Sequence, residues 1–376
     1  MTPIDLAVRA LIERRGPIPF YEVVAAALYD PADGFYASGG RAGRRGDFLT
    51  SPEVGPLFGA VVARALDTWW RAVGEPSVFV VVEAGAGPGS LARSVLHAGP
   101  DCAGALRYVL VESSAAQRAS HAERLALDDP SAAFASVPEP DDEHVVARPI
   151  GPIVVSLPEL PRLPGPCIVV ANELLDNLPF GLAERRPEGW AEVFVGVDGP
   201  ALAEVLLPLD GAAATMLDGL APTAAVGARV PLQRAAAVWL RDALGLAGPE
   251  GRLVVLDYAR STADLAARPW GDWVRTYRRH DRGGSPLERL GEQDITCEVA
   301  VDQLTPAPTS NRSQAAWLHA HGIEALVEEG RRTWQERAAI GDLAAVRARS
   351  RVTEAEALVD PEGLGAFRVL EWGASS

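Results

Sequence analysis

The chain has 376 residues, more than one core usually organises, so a large domain with additions, or two domains, is expected. Hydrophobic residues make up 48% and charged residues 23%, the balance of a globular protein and not of a disordered or fibrous one. A net charge of -15 repels phosphate backbones and anionic membranes, which argues against nucleic-acid and membrane partners.

All 35 basic residues are arginine, which excludes a P-loop lysine, a Schiff-base lysine and a kinase-type lysine together. Cys102, Cys167 and Cys297 are far apart and form no C-x-x-C pair, so neither a disulfide framework nor a cysteine zinc site is implied, and a reducing, cytoplasmic setting is expected. No metal is expected either, because His319-Ala-His321 has no nearby third ligand.

Met1 to Gly16 carries Asp5 and Glu13 inside an apolar periodicity, the pattern of an amphipathic helix and not of a secretory signal. Pro19 to Leu28 and Leu57 to Val73 also have helix-period apolar positions, and between them Asp30 to Glu53, rich in Gly, Pro and Asp, predicts a long structured loop. Residues 1–75 are therefore expected to form a mainly helical region. From Val78 the pattern changes. Val78 to Glu83, Leu106 to Glu112, Cys167 to Ala171 and Leu253 to Asp257 are short apolar runs ending in acidic or polar residues, as buried parallel strands do. Helical segments at Ser90 to His97 and Ala115 to Leu127 separate the first of them, and Ile153 to Leu157 is a weak further strand. This is the βαβα signature of an α/β fold, a Rossmann-like sheet over residues 76–376 with an N-terminal helical region. Glu192 to Leu207 alternates on both sides of Asp198-Gly199-Pro200 and predicts a hairpin, within an insertion at about residues 181–235. A substrate-side segment is expected at about residues 260–330, irregular to Gln293 and helical from Gln314, and Phe367 to Trp372 is a candidate closing strand.

Glu83-Ala-Gly85-Ala-Gly87-Pro-Gly89 follows directly on the Val78 to Val82 run and precedes a helical segment, the context a cofactor loop requires. Dinucleotide enzymes favour G-x-G-x-x-G, whose third glycine would fall on Ser90; the spacing instead matches the acidic-x-G-x-G-x-G loop of enzymes that use S-adenosyl-L-methionine (SAM). SAM has no pyrophosphate to neutralise, and a strand-terminal acid suits its cationic amino-acid portion. Glu112 ends the next strand, 23 residues beyond Gly89, where a carboxylate accepts hydrogen bonds from ribose hydroxyls.

The chain also resembles the MidA family of SAM-dependent methyltransferases, in which the mitochondrial members are complex I assembly factors that methylate an arginine of a partner subunit. The stretches that carry the resemblance are Leu28 to Tyr36, Gly46 to Glu53 with Phe58-Gly59, Val82 to Leu91, Asn172-Glu-Leu-Leu-Asp-Asn-Leu-Pro179 preceded by Ala171, Asp257-Tyr258, Gly271-Asp272 through Tyr277 to His280, and Asp294-Ile-Thr296, spread over nearly the whole chain. The chain departs from the family pattern at Ala259, where Gly is usual, at Leu290, where Pro is usual, and at Glu298, which stands in the place of a histidine.

The resemblance implies that Thr50, Ser51, Pro52 and Glu53 form a loop over the cofactor with Asp47 and Phe48 at its base; read alone, Thr-Ser-Pro-Glu is a helix-capping sequence. Asn172, Glu173 and Asp176 follow a strand and are expected at the carboxyl edge of the sheet, with Asn172 nearer the cofactor. If the acceptor is a guanidinium, Glu173 and Asp176 are the carboxylate pair that orients it, the competing reading being a helix cap. His280 is a candidate proton acceptor and Asp294 a candidate member of the site wall. The expected function is SAM-dependent methyl transfer, to a protein arginine or to a small-molecule acceptor. A SAM-binding assembly factor with little turnover and an NAD oxidoreductase are the alternatives.

Overall fold

The computed structural model describes residues 1–37, 50–134, 151–163, 165–278, 281–340 and 342–373. These fall into two compact units. One holds the described residues of Met1–Phe48, Glu173–Asp242 and Asp257–Pro308; the other holds those of Leu49–Asn172, Ala243–Leu256 and Thr309–Ser376. The chain passes from one unit to the other at 48–49, 172–173, 242–243, 256–257 and 308–309. Asp47, Phe48 and His280 lie outside the described residues.

The second unit is built on a seven-stranded sheet: β1 Phe79–Ala84, β2 Leu106–Val111, β3 Ile153–Leu157, β4 Ile168–Asn172, β5 Arg252–Asp257, β6 Ser310–Ser313 and β7 Arg368–Gly373. Their order across the sheet is β6-β7-β5-β4-β1-β2-β3. The pairs from β5 through β3 are parallel, and β6 runs antiparallel to β7. Val80 to Val82 and Tyr108 to Val111 read as continuous apolar runs because helices cover both faces of a parallel sheet. The strand order reverses at β1, which has β2 on one side and β4 on the other, and ligands of open α/β sheets bind at the carboxyl ends beside such a switch point.

On this sheet packs a core that includes Phe58, Leu66, Trp69, Leu91, Tyr108, Trp317 and Leu358. The Pro56–Ala72 helix places Gly59 directly on the Ser90–Ala98 helix; a Cβ there would lie 2.3 Å from Ser94 Cβ, so glycine is what permits the approach. That helix begins with proline at its first position and has no side-chain cap of its own. Glu354, from the Leu343–Val359 helix, supplies the acceptor instead, taking the Leu57 N–H at 2.9 Å. The helix expected over Ala115 to Leu127 is two pieces, Ala115–Ala119 and His121–Arg124. At the break Ser120 Oγ donates to the Gln117 carbonyl at 2.7 Å, a local bond that competes with helix continuation.

The first unit centres on an antiparallel sheet of Ile18–Pro19, Gly189–Asp198, Gly181–Arg186 and Arg229–Leu232, with Ala201–Pro208 also paired to Gly189–Asp198 as the predicted hairpin. The Pro3–Arg15 and Phe20–Tyr29 helices bury Ile4, Val8, Phe20, Val24 and Leu28 with Phe180, Leu182, Val193 and Val195. Thr2 opens the first of these helices with a reciprocal capping box to Asp5. The stretch expected to be irregular up to Gln293 contains a helix, Thr262–Ala266, and a strand, Val274–Arg278, which pairs antiparallel with Asp294–Cys297. Arg and Trp obscured that strand in the sequence, since alternate residues face a polar site and not an apolar core.

Candidate active site

In the second unit the glycine turn leaves β1 through three left-handed residues, Gly85 (φ 69°), Gly87 (φ 52°) and Gly89 (φ 79°). At Gly89 space is closed as well: a Cβ would meet Leu110, Leu125 and His121 at 3.2 to 3.4 Å. Both ends of the Gly87 peptide are held. Its N–H donates to Glu112 Oε2 at 2.9 Å, and its carbonyl lies 2.7 Å from His121 Nε2. A carbonyl only accepts, so His121 carries its proton on Nε2 and accepts from Ser156 Oγ at Nδ1, 2.8 Å away. Burial pulls the His121 pKa down, which keeps it in that neutral form.

Glu112 also accepts the Ser114 N–H at 2.7 Å through its other oxygen. The Ser113 side chain bonds it as well, and of the four lone-pair positions of a carboxylate one is left to accept from a ligand hydroxyl. Burial raises its pKa, and the Ser114 and Gly87 amides oppose that rise. Glu83 is turned inward: Tyr108 Oη donates to its Oε2 at 2.7 Å and the Ala92 amide bonds it too, while burial lifts its pKa to about 7. Its carboxyl therefore anchors the turn to the neighbouring strand and helix. Thr50 precedes the short Ser51–Val54 helix, with Pro52 in its first turn, so the capping reading of Thr-Ser-Pro-Glu is realised in the backbone, although Thr50 makes no side-chain cap. Ser51 Oγ donates to Gln314 Oε1 at 3.1 Å, and Ser90 Oγ donates to Glu53, which ties this segment to the residue after Gly89. Asn172 ends β4, paired with Leu256 on β5.

This donor set suits a nucleoside bearing no phosphate. The amide that would meet a pyrophosphate, Gly87 N–H, is already bonded to a carboxylate, and that carboxylate would repel the anion.

The first unit assembles a different site. Glu173 has φ 52°, a left-handed conformation in which a non-glycine residue is strained, and such strain gathers at functional positions. The turn after it, Leu175–Asn177, is held by Asp257, whose carboxylate accepts the N–H groups of Leu175 at 2.8 Å, Asp176 at 3.3 Å and Tyr258 at 2.8 Å. Asp257 is fully buried, and burial followed by the charge of Glu173 raises its pKa to about 8. Asp176 is driven up by burial and then by the charges of Asp257 and Asp294, with Arg275 opposing. Asn177 Nδ2 donates to Asp176 Oδ1 at 2.9 Å and to the Glu173 carbonyl at 3.2 Å. Tyr36 Oη lies 2.9 Å from Asn177 Oδ1 and 3.1 Å from Asp294 Oδ1.

In the antiparallel pair Arg275 stands opposite Thr296 and Tyr277 opposite Asp294. Glu173, Asp176, Tyr258, Trp273, Arg275, Tyr277, Thr296 and Glu298 surround a cavity of about 30 Å³. Carboxylates with aromatic walls are a binding site for an organic cation. The structure thus brings Glu173, Asp176 and Asp294 together. Asp257, Tyr36, Tyr258, Arg275 and Glu298 join them, although the sequence assigned them no role. For Asp257 the signal was its position as the acidic end of the Leu253 to Asp257 apolar run. Trp273 is fully buried, its indole N–H bonded to the Leu265 carbonyl at 3.1 Å. Among the described residues no three or more His, Cys, Asp or Glu side chains are arranged so that they could hold a metal ion, and no helix is long and apolar enough to cross a membrane.

The family model described as "Putative S-adenosyl-L-methionine-dependent methyltransferase" matches residues 61–318. The chain belongs to this MidA-like methyltransferase family. A Burkholderia thailandensis structure with S-adenosyl-homocysteine bound aligns over 99% of this chain and 92% of its own, at 27% identity and a TM-score of 0.77. A native Burkholderia thailandensis structure aligns over 99% and 91%, at 25% identity and the same TM-score of 0.77. The mitochondrial protein arginine methyltransferase NDUFAF7 of Rattus norvegicus is 30% identical over 209 residues, 53% of this chain and 46% of the relative. Its Drosophila melanogaster homologue is 47% identical over 88 residues, 23% of this chain and 20% of the relative. The alignments thus span about half the length, or less, of these curated relatives. The chain is a SAM-dependent methyltransferase with an α/β fold, and the NAD reading is set aside.

Proposed function

We propose that this methyltransferase transfers the methyl group of SAM to an arginine side chain of a protein. The observation that carries the reading is the convergence of Glu173, Asp176, Asp257 and Asp294, four acidic side chains in one largely buried cluster with tyrosine walls. Acidic groups crowded together in a buried site are costly to ionise unless a cation joins them, and a guanidinium brings both the charge and a fork of N–H donors. The curated relatives carry the name protein arginine methyltransferase, which agrees.

SAM supplies an activated methyl group on a sulfonium. Glu112 would hold a ribose hydroxyl, the Gly85 to Gly89 turn would admit the nucleoside closely, and Thr50 to Glu53 with Asn172 would complete the cofactor wall. Glu173 and Asp176 would hold two edges of the guanidinium, concentrating its charge away from the attacking nitrogen. A charged guanidinium nitrogen that takes up a methyl group must release a proton. Asp176, made more basic than an exposed carboxylate by its surroundings, is suited to accept it. Asp257 acts through the backbone, fixing the turn that carries Glu173 and Asp176.

The test is to incubate the enzyme with SAM labelled in its methyl group and protein extract of the host, then hydrolyse the protein fraction. Label in methylarginine supports the proposal. Label confined to small molecules, or to another residue type, rejects it.

A further inference from the structure

The cavity between Glu173, Asp176 and Tyr258 has room for about one water molecule, not for a guanidinium. One of the side chains that line this cavity is itself a guanidinium, that of Arg275. Arg275 reaches across with its carbon Cζ 5.7 Å from the Tyr258 ring centre, donates through NH2 to Glu298 Oε1 at 2.8 Å, and donates through Nε to the Asp272 carbonyl at 2.8 Å. Its charge also reaches Asp176. An aromatic face, a carboxylate and a second carboxylate within Coulombic reach are the partners that an incoming guanidinium would use.

We infer that Arg275 is a resident gate that occupies the acceptor pocket and leaves it when a guanidinium enters; this rests on the arginine reading above. Two further features make the exchange feasible. The Arg275 side chain is 27% exposed and so has a way out to solvent. Glu298 is held independently by Arg268, at 2.9 and 3.2 Å, so the departure of Arg275 does not leave a buried carboxylate without a counter-ion. The gate also selects. A cation that replaces Arg275 restores the charge balance at Asp176 and the contact with Tyr258, whereas a neutral acceptor would displace a cation and restore neither. Glu298 is what tethers the gate.

The experiment is calorimetric titration of full-length enzyme, loaded with S-adenosyl-homocysteine, with ethylguanidinium at constant ionic strength. Arg275→Ala is expected to bind the probe about tenfold or more tightly than wild type, and Glu298→Gln to show a smaller gain. Affinity for S-adenosyl-homocysteine serves as the check on folding, and Arg275→Met decides in the same way if the alanine variant fails it. Equal or weaker probe binding by the Arg275 variants, with wild type still binding, overturns the gate and leaves the arginine reading standing. Failure of every folded variant and of wild type to bind the probe overturns both.

Discussion

Two buried carboxyl groups, Glu83 under the glycine turn and Asp176 in the acidic cluster, show how differently the two regions are built. Both are raised chiefly by burial. Glu83, however, is satisfied within the protein, by the Tyr108 phenol and the Ala92 amide, with Glu112 contributing only the last and smallest of its influences. Asp176 is surrounded by further acids, and the charges of Asp257 and Asp294 follow burial directly among its influences. The first is a finished structural contact. The second is an imbalance that a cationic ligand corrects. The contrast teaches that burial and a raised pKa do not by themselves mark a catalytic group; the sign of the neighbouring charge does.

The contrast is sharpest in activity. Glu173→Gln and Asp176→Asn are expected to lower methyl transfer by roughly 10² to 10⁴-fold, the usual weight of a positioned acid-base group, while affinity for S-adenosyl-homocysteine stays within about twofold of wild type. Steady-state rates with calorimetry on the same samples check this. Full activity in both variants would remove the assignment.

Glu83 should instead appear in stability. Its folded pKa of about 7 lies above the unfolded value, so its contribution is fully present below about pH 4.5 and is lost as the pH rises through 7. Denaturant titrations should show a loss across that window larger in wild type than in Glu83→Gln by on the order of 3 kcal/mol. Identical profiles in the two proteins would mean that the carboxyl is better solvated than its burial indicates.

Much of the first region was legible because one contiguous segment carries it. The Val78 to Val82 run, the glycines and Glu112 are close in sequence, and the backbone alone forces glycine at positive φ. Glu83 was read as facing the cofactor, but its carboxyl is directed to Tyr108, since neither the partner nor the side-chain direction is written in the motif. The acidic region draws on Tyr36, Glu173 to Asn177, Asp257-Tyr258, Arg275 and Asp294, which no local periodicity connects. Only tertiary pairing, such as Tyr277 opposite Asp294, brings them together. That is why Glu173 and Asp176 could be named from the sequence while Asp257 and Arg275 could not be given roles.

Smaller effects refine the comparison. Gly89→Ala should cost about 1–2 kcal/mol in thermal or denaturant unfolding from its left-handed backbone alone, and should also weaken binding of S-adenosyl-homocysteine. Tyr36→Phe should cost about 0.5–1.5 kcal/mol by removing the hydroxyl shared with Asn177 and Asp294, with its effect confined to turnover and not to cofactor affinity. A loss of cofactor affinity in Tyr36→Phe would show that the two regions do not divide the work in this way.

The most direct measurement is a crystal structure of the enzyme with S-adenosyl-homocysteine and an alkylguanidinium. The account predicts a planar cation against Tyr258, hydrogen-bonded by Glu173 and Asp176, with Arg275 withdrawn. A cation bound elsewhere, with those two carboxyl groups still facing only protein, would contradict it.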